Sequence, residues 1–363
     1  MKIVIMHQTV TKHDAIGNDI EAMYNLLRKK HYCVIYAENK LNDRLEYIEE
    51  NELIKIMNQK DSLVIYHHSV YWEYGERLIK SCKGKLIIRY HNITPPEFFK
   101  PYNQFHFEQC DKGRKQTIRL CDELREAFWL ADSCYNTNDL TKVDRSKVGV
   151  CPPFNKIEQL AKCVPDEAIL KELMYNRKVN LLFVGRVVPN KGHLFLIDIL
   201  RLYCLNYDTD IILRIVGKFD DGLRGYNEEI LNRISEYGLE ENVQFIGEIN
   251  NSTLLSYYLG SDFFICASEH EGFCVPIIES QFFELPIIAR RTSAIPETIG
   301  KNQILLHEDA KEYAAAINIL YNNRQYIQYL RQNGLNNYRS RFTQESITNT
   351  FIKFLRNKLG VEI

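Results

Sequence analysis

The chain has 363 residues, 45% hydrophobic and 26% charged, with a formal net charge of -1. That length can fill two hydrophobic cores, and a balance this close to neutral argues against nucleic acid as a main partner, since phosphate binding needs a basic surplus. Ten cysteines without a CxxC pair or zinc-type spacing read as free thiols of a reducing cytoplasm.

The first apolar run, Ile3 to Met6, is too short for the core of a signal peptide. No run reaches the roughly 20 residues of a membrane-spanning helix. In chain order, "KIVIM" (2–6) reads as a buried strand. "NDIEAMYNLLRKKHY" then sets Ile20, Met23, Tyr24 and Leu27 on one helical face. "CVIYAE" (33–38), "DSLVIYHHS" (61–69) and "GKLIIRYHN" (84–92) are further strands, with helical segments in both intervals. "ADSCYNTNDLTK" (131–142) reads as a short strand or turn, and "KVGVCPPF" (147–154) as an edge element. Continuous apolar strands alternating with helices predict a parallel sheet covered on both faces. Pro152, Pro153 and Pro165 then mark a boundary.

The rhythm restarts at "VNLLFVGR" (179–186), followed by a helix "HLFLIDILRLYC" (193–204) and a strand "IILRIVG" (211–217). A helix around 228–238, "VQFIG" (243–247), "TLLSYYLGS" (253–261) and "DFFICAS" (262–268) come next. "LPIIAR" (285–290), "NQILLHE" (302–308) and helical stretches at 309–334 and 344–358 complete a second doubly wound domain. The expected boundaries are 1–155 for the first domain, 156–164 for the linker and 165–338 for the second domain.

Ligands of such sheets sit beyond the C-terminal strand ends, so the loops there are the place to look for chemistry. In "VGRVVPNKGH" (184–193) Gly185 turns the chain, and Arg186 and Lys191 precede a helix. Cations beside a helix N-terminus form an anion site, although two solvated loop cations would look the same. Gly217 and Gly247 also end strands, which would let a ligand approach backbone. In "SEHEGFCVPIIES" (268–280) Pro276 suits a first helical turn. Glu279 is expected in that turn, and Glu271 in the loop before it, beside the amides of Gly272, Phe273 and Cys274. A favourable helix dipole would account for Glu279 but not for Glu271. Glu269 reads as solvated.

These residues resemble retaining glycosyltransferases of the GT-B fold, in particular glycosyltransferase family 4. Glu271 and Glu279 match its E-x7-E motif, and 268–300 resembles its most recognisable block nearly throughout. "FVGRVVPNKG" resembles its diphosphate loop, and "VQFIGEINNSTLLSYYLGSDFFICAS" its nucleobase-side segment. "IIRYHNITPPEFF" (87–99) resembles a block of some bacterial members. The resemblance implies two doubly wound Rossmann-like domains facing across a cleft that closes to exclude water, with the helix 344–358 packing back on the first.

It also implies roles. Arg186 and Lys191 would neutralise a donor diphosphate approached through Gly185. Glu271 would bind the donor sugar with the amides of Gly272, Phe273 and Cys274. Glu279 would bind the ribose, and Ile249 and Val275 would border the base. In the first domain Gly17 would bring its loop to the diphosphate, and His91 would lie near the transferred sugar. The family's Gly-Gly pair is here a single glycine in "AIGNDI". The expected donor is a UDP- or GDP-sugar, with no other cofactor and no metal. A saccharide or lipid-linked saccharide is the expected acceptor, and the expected location is cytoplasmic, with room for peripheral contact at the inner membrane face.

Other features carry weaker readings. "DTD" (208–210) looks like a metal-binding acid motif but precedes a strand, so it reads as a polar turn. One of His67 and His68 reads as structural and the other as an acceptor contact. Arg114 reads as a solvated helix cation, and Phe98 and Phe99 as loop packing. A sugar-nucleotide epimerase and a non-catalytic nucleotide-sugar-binding protein are the alternatives. A nicotinamide dehydrogenase fits least, because no GxGxxG follows "KIVIM".

Overall fold

The computed structural model describes residues 1–12 and 14–362. The chain divides into two compact units. One comprises Met1–Pro96, Phe105–Lys156 and Thr343–Ile363, the other Glu97–Gln104 and Ile157–Phe342.

In the first unit six strands form one sheet: β1 (Lys2–Met6), β2 (Tyr32–Tyr36), β3 (Leu63–His68), β4 (Lys85–Tyr90), β5 (Phe128–Ala131) and β6 (Val148–Val150). Their order is β2-β1-β3-β4-β5-β6 and every pairing is parallel. Period-two alternation splits the apolar residues between two faces. Ile3, Ile5, Leu63 and Ile65 join one core cluster, and Val4, Met6, Val64 and Tyr66 the other. The helix Ala15–Leu27 covers the first face with Ile20, Met23, Tyr24 and Leu27. Its start is set by Asp14, whose carboxylate accepts the Gly17 N–H at 2.5 Å. The helix Gln344–Phe354, capped by Thr343, buries Ile347, Phe351 and Phe354 in the same cluster.

The second unit repeats the design with β7 (Val179–Val184), β8 (Ile211–Val216), β9 (Val243–Gly247), β10 (Phe263–Cys266), β11 (Ile287–Arg290) and β12 (Ile304–Leu306). Their order is β9-β8-β7-β10-β11-β12, again parallel. Asp208 and Asp210 lie in an exposed turn at the N-terminal end of β8, where Asp208 accepts the Asp210 N–H at 3.0 Å. They stand at the sheet end remote from the strand-end loops.

Three segments differ from the sequence reading. Within 156–164, Ile157–Leu160 is helical and buries both its apolar ends in the second unit, because Ile157 and Leu160 share one helical face. Glu97–Gln104 belongs to the second unit, where the Tyr102 hydroxyl donates to Glu229 at 2.8 Å and its ring meets Tyr226 edge-on. The helical stretch 309–334 is two helices, Ala310–Tyr321 and Arg324–Arg341, broken where Asn323 caps the second by accepting from Tyr326 N–H. No helix among the described residues is long and apolar enough to cross a membrane.

Candidate functional site

In the second unit three neighbouring strands end in glycine. Gly185, Gly217 and Gly247 have φ of 154°, 148° and 76°. A Cβ on Gly217 would lie 1.9 Å from the Gly185 carbonyl oxygen, so the two strand ends can meet only if position 217 has no side chain. Beyond Gly185, Arg186 is exposed, and among the described residues no protein group pairs with its guanidinium. The loop then folds into a turn, Pro189–Lys191, and Gly192 leads into the helix His193–Asn206 with φ 73°. A Cβ there would stand 2.3 Å from the Ala267 carbonyl oxygen. The loop after β7 is thereby seated on the loop after its neighbour β10.

The loop after β10 is held at several points. The Asn190 carbonyl accepts from the N–H groups of Glu269 at 2.8 Å and His270 at 3.3 Å, and the Asn190 amide donates to the His270 carbonyl at 3.1 Å. The Glu271 N–H donates to Ser293 Oγ at 2.9 Å, and the Thr298 hydroxyl to the Phe273 carbonyl at 2.6 Å. These bonds fix Glu271, which is 7% exposed, with Oε1 2.6 Å from Lys191 Nζ. Burial alone would lower the Lys191 pKa, but the Glu271 carboxylate outweighs it and holds the amine above its ordinary value. Residues 80 positions apart thus form one buried ion pair at a sheet edge.

Cys274 closes the loop in the left-handed region, φ 73°, a conformation costing an L-residue about 1–2 kcal/mol. Its thiol lies 4.0 Å from that of Cys266, and both are buried. The shared S–H···S contact eases the first deprotonation, on Cys266, and together with burial raises the Cys274 thiol. The helix Val275–Phe282 starts after this strained residue, with Pro276 in its first turn. Glu279 is therefore its fifth residue and not a first-turn acid as the sequence suggested. It accepts from the Tyr258 hydroxyl at 2.5 Å, and burial pushes its carboxyl above the usual range. Ile249 and Val275 pack against different apolar clusters. Glu269 is half-buried, and burial raises its pKa against the nearby Arg290, which lies at 3.8 Å; it is less solvated than the sequence suggested.

In the first unit the C-terminal strand ends gather a network that the sequence reading missed apart from its histidines. Arg89, fully buried in β4, has Nε 2.9 Å from Asp19 Oδ2 and Nη2 2.8 Å from Asp132 Oδ1. Asp132 Oδ2 lies 2.9 Å from His91 Nδ1, and His91 Nε2 lies 2.8 Å from His67 Nδ1. Asp19 Oδ1 also accepts the Phe154 N–H at 2.8 Å. The signal was an arginine inside an otherwise apolar strand, since a buried charge needs partners. Burial holds the His67 ring neutral, lowers His68 to about 3 and lowers His7 to about 4. His68 Nε2 bonds Thr117 Oγ1 at 2.8 Å, and His67 is as fully buried and bonded to His91, so both histidines of the pair hold structural positions. Gly17 lies within the helix Ala15–Leu27 rather than in a loop, since Asp14 caps the chain before it. Arg114 is half-buried, donating to the Ile93 carbonyl at 2.9 Å and pairing with Asp139 at 3.3 Å, so it is a structural cation and not a solvated one.

Among the described residues, two clusters contain metal-ligating atoms within 4.8 Å of one another: Asp19, His67 and His91, and Cys266, Glu271 and Cys274. Arg89 already occupies Asp19 in the first.

Residues 166–337 match the family model of glycosyl transferases group 1. They form a group 1 glycosyltransferase domain. That domain carries Arg186, Lys191, Glu271 and Glu279. The capsular polysaccharide biosynthesis glycosyltransferase CapH of Staphylococcus aureus is 27% identical over 153 residues, 41% of this chain and 42% of that protein. O-antigen chain mannosyltransferase B of Escherichia coli is 24% identical over 141 residues, 39% of this chain and 35% of its own. The matched region thus spans less than half the length of these curated relatives. Among solved structures, Anabaena HepE in complex with UDP and glucose superposes with a TM-score of 0.75 at 16% identity, covering 98% of this chain and 100% of that one. Sucrose-phosphate synthase from Thermosynechococcus elongatus gives 0.76 at 15% identity over 99% of each chain. Around the group 1 domain, the whole chain therefore has the GT-B fold.

Proposed function

We propose that this chain is a retaining glycosyltransferase. It moves a hexosyl-type sugar from a nucleotide diphosphate, UDP- or GDP-linked, to a saccharide or lipid-linked saccharide acceptor in the synthesis of a surface polysaccharide or glycoconjugate. The observation that carries the reading is the Lys191–Glu271 pair at 2.6 Å, set beside the unpartnered Arg186 on adjacent strand ends of a group 1 domain. The names of CapH and the mannosyltransferase, and the UDP and glucose bound by HepE, support it.

In this reading the donor takes over both ends of the ion pair. Lys191 and Arg186 turn to the diphosphate, and Glu271 turns to the sugar hydroxyls beside the amides of Gly272, Phe273 and Cys274. Glu279 holds the ribose, Ile249 and Val275 border the base, and strand-end Gly185 admits the phosphates. For Gly17 and His91 of the first unit, the proposed roles are those the family resemblance implies, toward the diphosphate and the transferred sugar. As the anomeric C–O bond breaks, both electrons go to the leaving phosphate oxygen, whose growing charge the two cations stabilise. The acceptor oxygen bonds to the anomeric carbon from the same face, and its proton passes to the leaving phosphate. Because side-chain cations supply the charge, the reaction needs no metal, and transfer should persist in EDTA.

The test is a thermal-shift screen with UDP-, GDP-, dTDP- and ADP-sugars. A donor at 100 times its Kd stabilises the folded protein by about 2.7 kcal/mol. A rise in Tm with one base and hydrolysis or transfer of its sugar bear the reading out. No response to any of the four, or loss of activity in EDTA restored by manganese, overturns it.

A further inference from the structure

Glu279 differs from the other enclosed acids in its unused capacity to accept hydrogen bonds. Asp19 pairs with Arg89, Glu76 with Lys80 and Arg119, and Glu271 with Lys191. Among the described residues no cation pairs with Glu279, and its carboxylate has one hydrogen bond, from the Tyr258 hydroxyl to Oε2 at 2.5 Å. The side chain is half-buried, and Oε1 is neither bonded to protein nor sealed from solvent. We propose that Tyr258 is a positioning residue for the donor. By holding Oε2 it sets the Glu279 carboxylate so that Oε1 accepts from the ribose hydroxyls, and so selects ribonucleotides over 2′-deoxyribonucleotides. This role rests on the reading of Glu279 as the ribose residue and adds the group that orients it.

Tyr258 can fix an oxygen because it is itself fixed. It lies in the helix Asn251–Gly260, which Asn250 caps by accepting the Thr253 N–H at 3.0 Å. Its ring is 1% exposed and stacks on Phe283, with centroids 5.4 Å apart. Once such a ring is packed, its hydroxyl oxygen has no torsion of its own. The apolar cluster around Tyr258 also takes in the half-buried Ile249, which the donor reading sets beside the base. Tyr258 thus reaches Glu279 from the cluster read as bordering the base, to which the ribose is bonded.

The chemistry of a diol fits this arrangement. An ionised carboxylate only accepts, whereas a protonated one must also donate. Two ribose hydroxyls bring two donors, so the ionised form suits them. Burial favours the neutral acid, and the hydrogen bond from Tyr258 opposes it. A deoxyribose would leave an acceptor unpaired, the costly case for a site built to bind a hydroxyl. A bond that merely stapled the two helices together would affect stability and leave ligand choice unchanged.

Titration calorimetry of the full-length protein with UDP, GDP and their 2′-deoxy counterparts reads the selectivity. The parent should bind one ribonucleotide roughly tenfold to hundredfold more tightly than its deoxy form, the scale of a hydrogen bond to a charged group. Tyr258→Phe, which keeps the ring on Phe283, should lose most of that ratio and raise the donor KM more than it lowers kcat. Tyr258→Phe/Glu279→Gln should be no less selective than Glu279→Gln alone, because one residue acts through the other. Tyr257→Phe, in the same helix, should keep the parent's ratio. A Tyr258→Phe protein with the parent's ratio, or losses that add in the double variant, overturns the inference and leaves the donor reading standing. The parent needs no variant to do the same: equal binding of the ribo and deoxy forms also overturns it. A parent that binds neither ribonucleotide overturns both.

Discussion

Replacing Lys191 by Met tests whether the Lys191–Glu271 pair is a buried, mutually dependent unit. Met keeps much of the stem volume and removes the charge. It leaves the Glu271 carboxylate, whose side chain is 9% exposed, without the amine 2.6 Å away. Stranding one member of a buried pair costs about 3–5 kcal/mol, whereas replacing both by groups of similar shape is close to neutral. The Lys191 side chain is 23% exposed, so some water reaches the pair and the lower end, about 3 kcal/mol, is expected. For a unit of this size that is a fall in Tm of about 6–12 °C, at 2–4 °C per kcal/mol. Lys191→Met/Glu271→Gln should recover most of the loss, giving a coupling energy of about 2–3 kcal/mol. The deficit of the single variant should narrow at acid pH, where the stranded carboxylate takes a proton. Calorimetry of the four proteins of the cycle at two pH values decides it. A single variant within about 2 °C of the parent, or a double variant no better than the single, would refute a buried interdependent pair.

Other outcomes follow from individual residues. Arg186→Ala should lower kcat by about 10²–10³-fold, while Tm stays within a degree because the side chain is exposed and unpartnered; unchanged turnover in a donor-competent enzyme removes its diphosphate role. Gly192→Ala should cost about 2 kcal/mol or more, since φ is 73° and the new Cβ would stand 2.3 Å from a carbonyl oxygen. Gly238→Ala, at φ 65° with nothing within 4 Å, should cost only about 1 kcal/mol, and equal losses in denaturant melts would contradict the packing argument. Burial lowers His7 to about 4 and His68 and His193 to about 3, from 6.5. The unfolded chain therefore takes protons first as pH falls. Stability is full above about 6.5 and drops below it, by up to about 1.4 kcal/mol per pH unit for each ring, and a Tm flat between pH 6.5 and 4.5 would contradict their burial.

Strands such as Lys2–Met6 and Val179–Val184 were legible because short, mostly apolar runs buried on both faces have few other homes. The strand-end glycines and the Arg186 and Lys191 loop were legible for the same local reason, since a turn forced by backbone sterics leaves a mark in composition. The Lys191–Glu271 pair was not, although each residue was singled out, because it joins loops 80 residues apart. The Asp19–Arg89–Asp132 network drew on three distant elements, and only the arginine in β4 signalled it. The second-turn position of Glu279 depended on the left-handed backbone at Cys274, which no residue preference announces. The short helix Ile157–Leu160 was hidden by its flanking prolines, which outweighed two apolar residues at helical spacing.

The helix Gln344–Phe354 has a consequence for how the chain is made. Its Ile347, Phe351 and Phe354 are packed with Ile3, Ile5 and Ile20 in one cluster. A ribosome emits β1 through β6 long before this helix exists. The unit that begins first therefore waits with part of that apolar face uncovered, beside the helix Ala15–Leu27, while the second unit, Glu97–Gln104 with Ile157–Phe342, has its whole chain and can fold. The nascent first unit is the part that needs shielding during synthesis, and cutting the chain after Phe342 would make that exposure permanent.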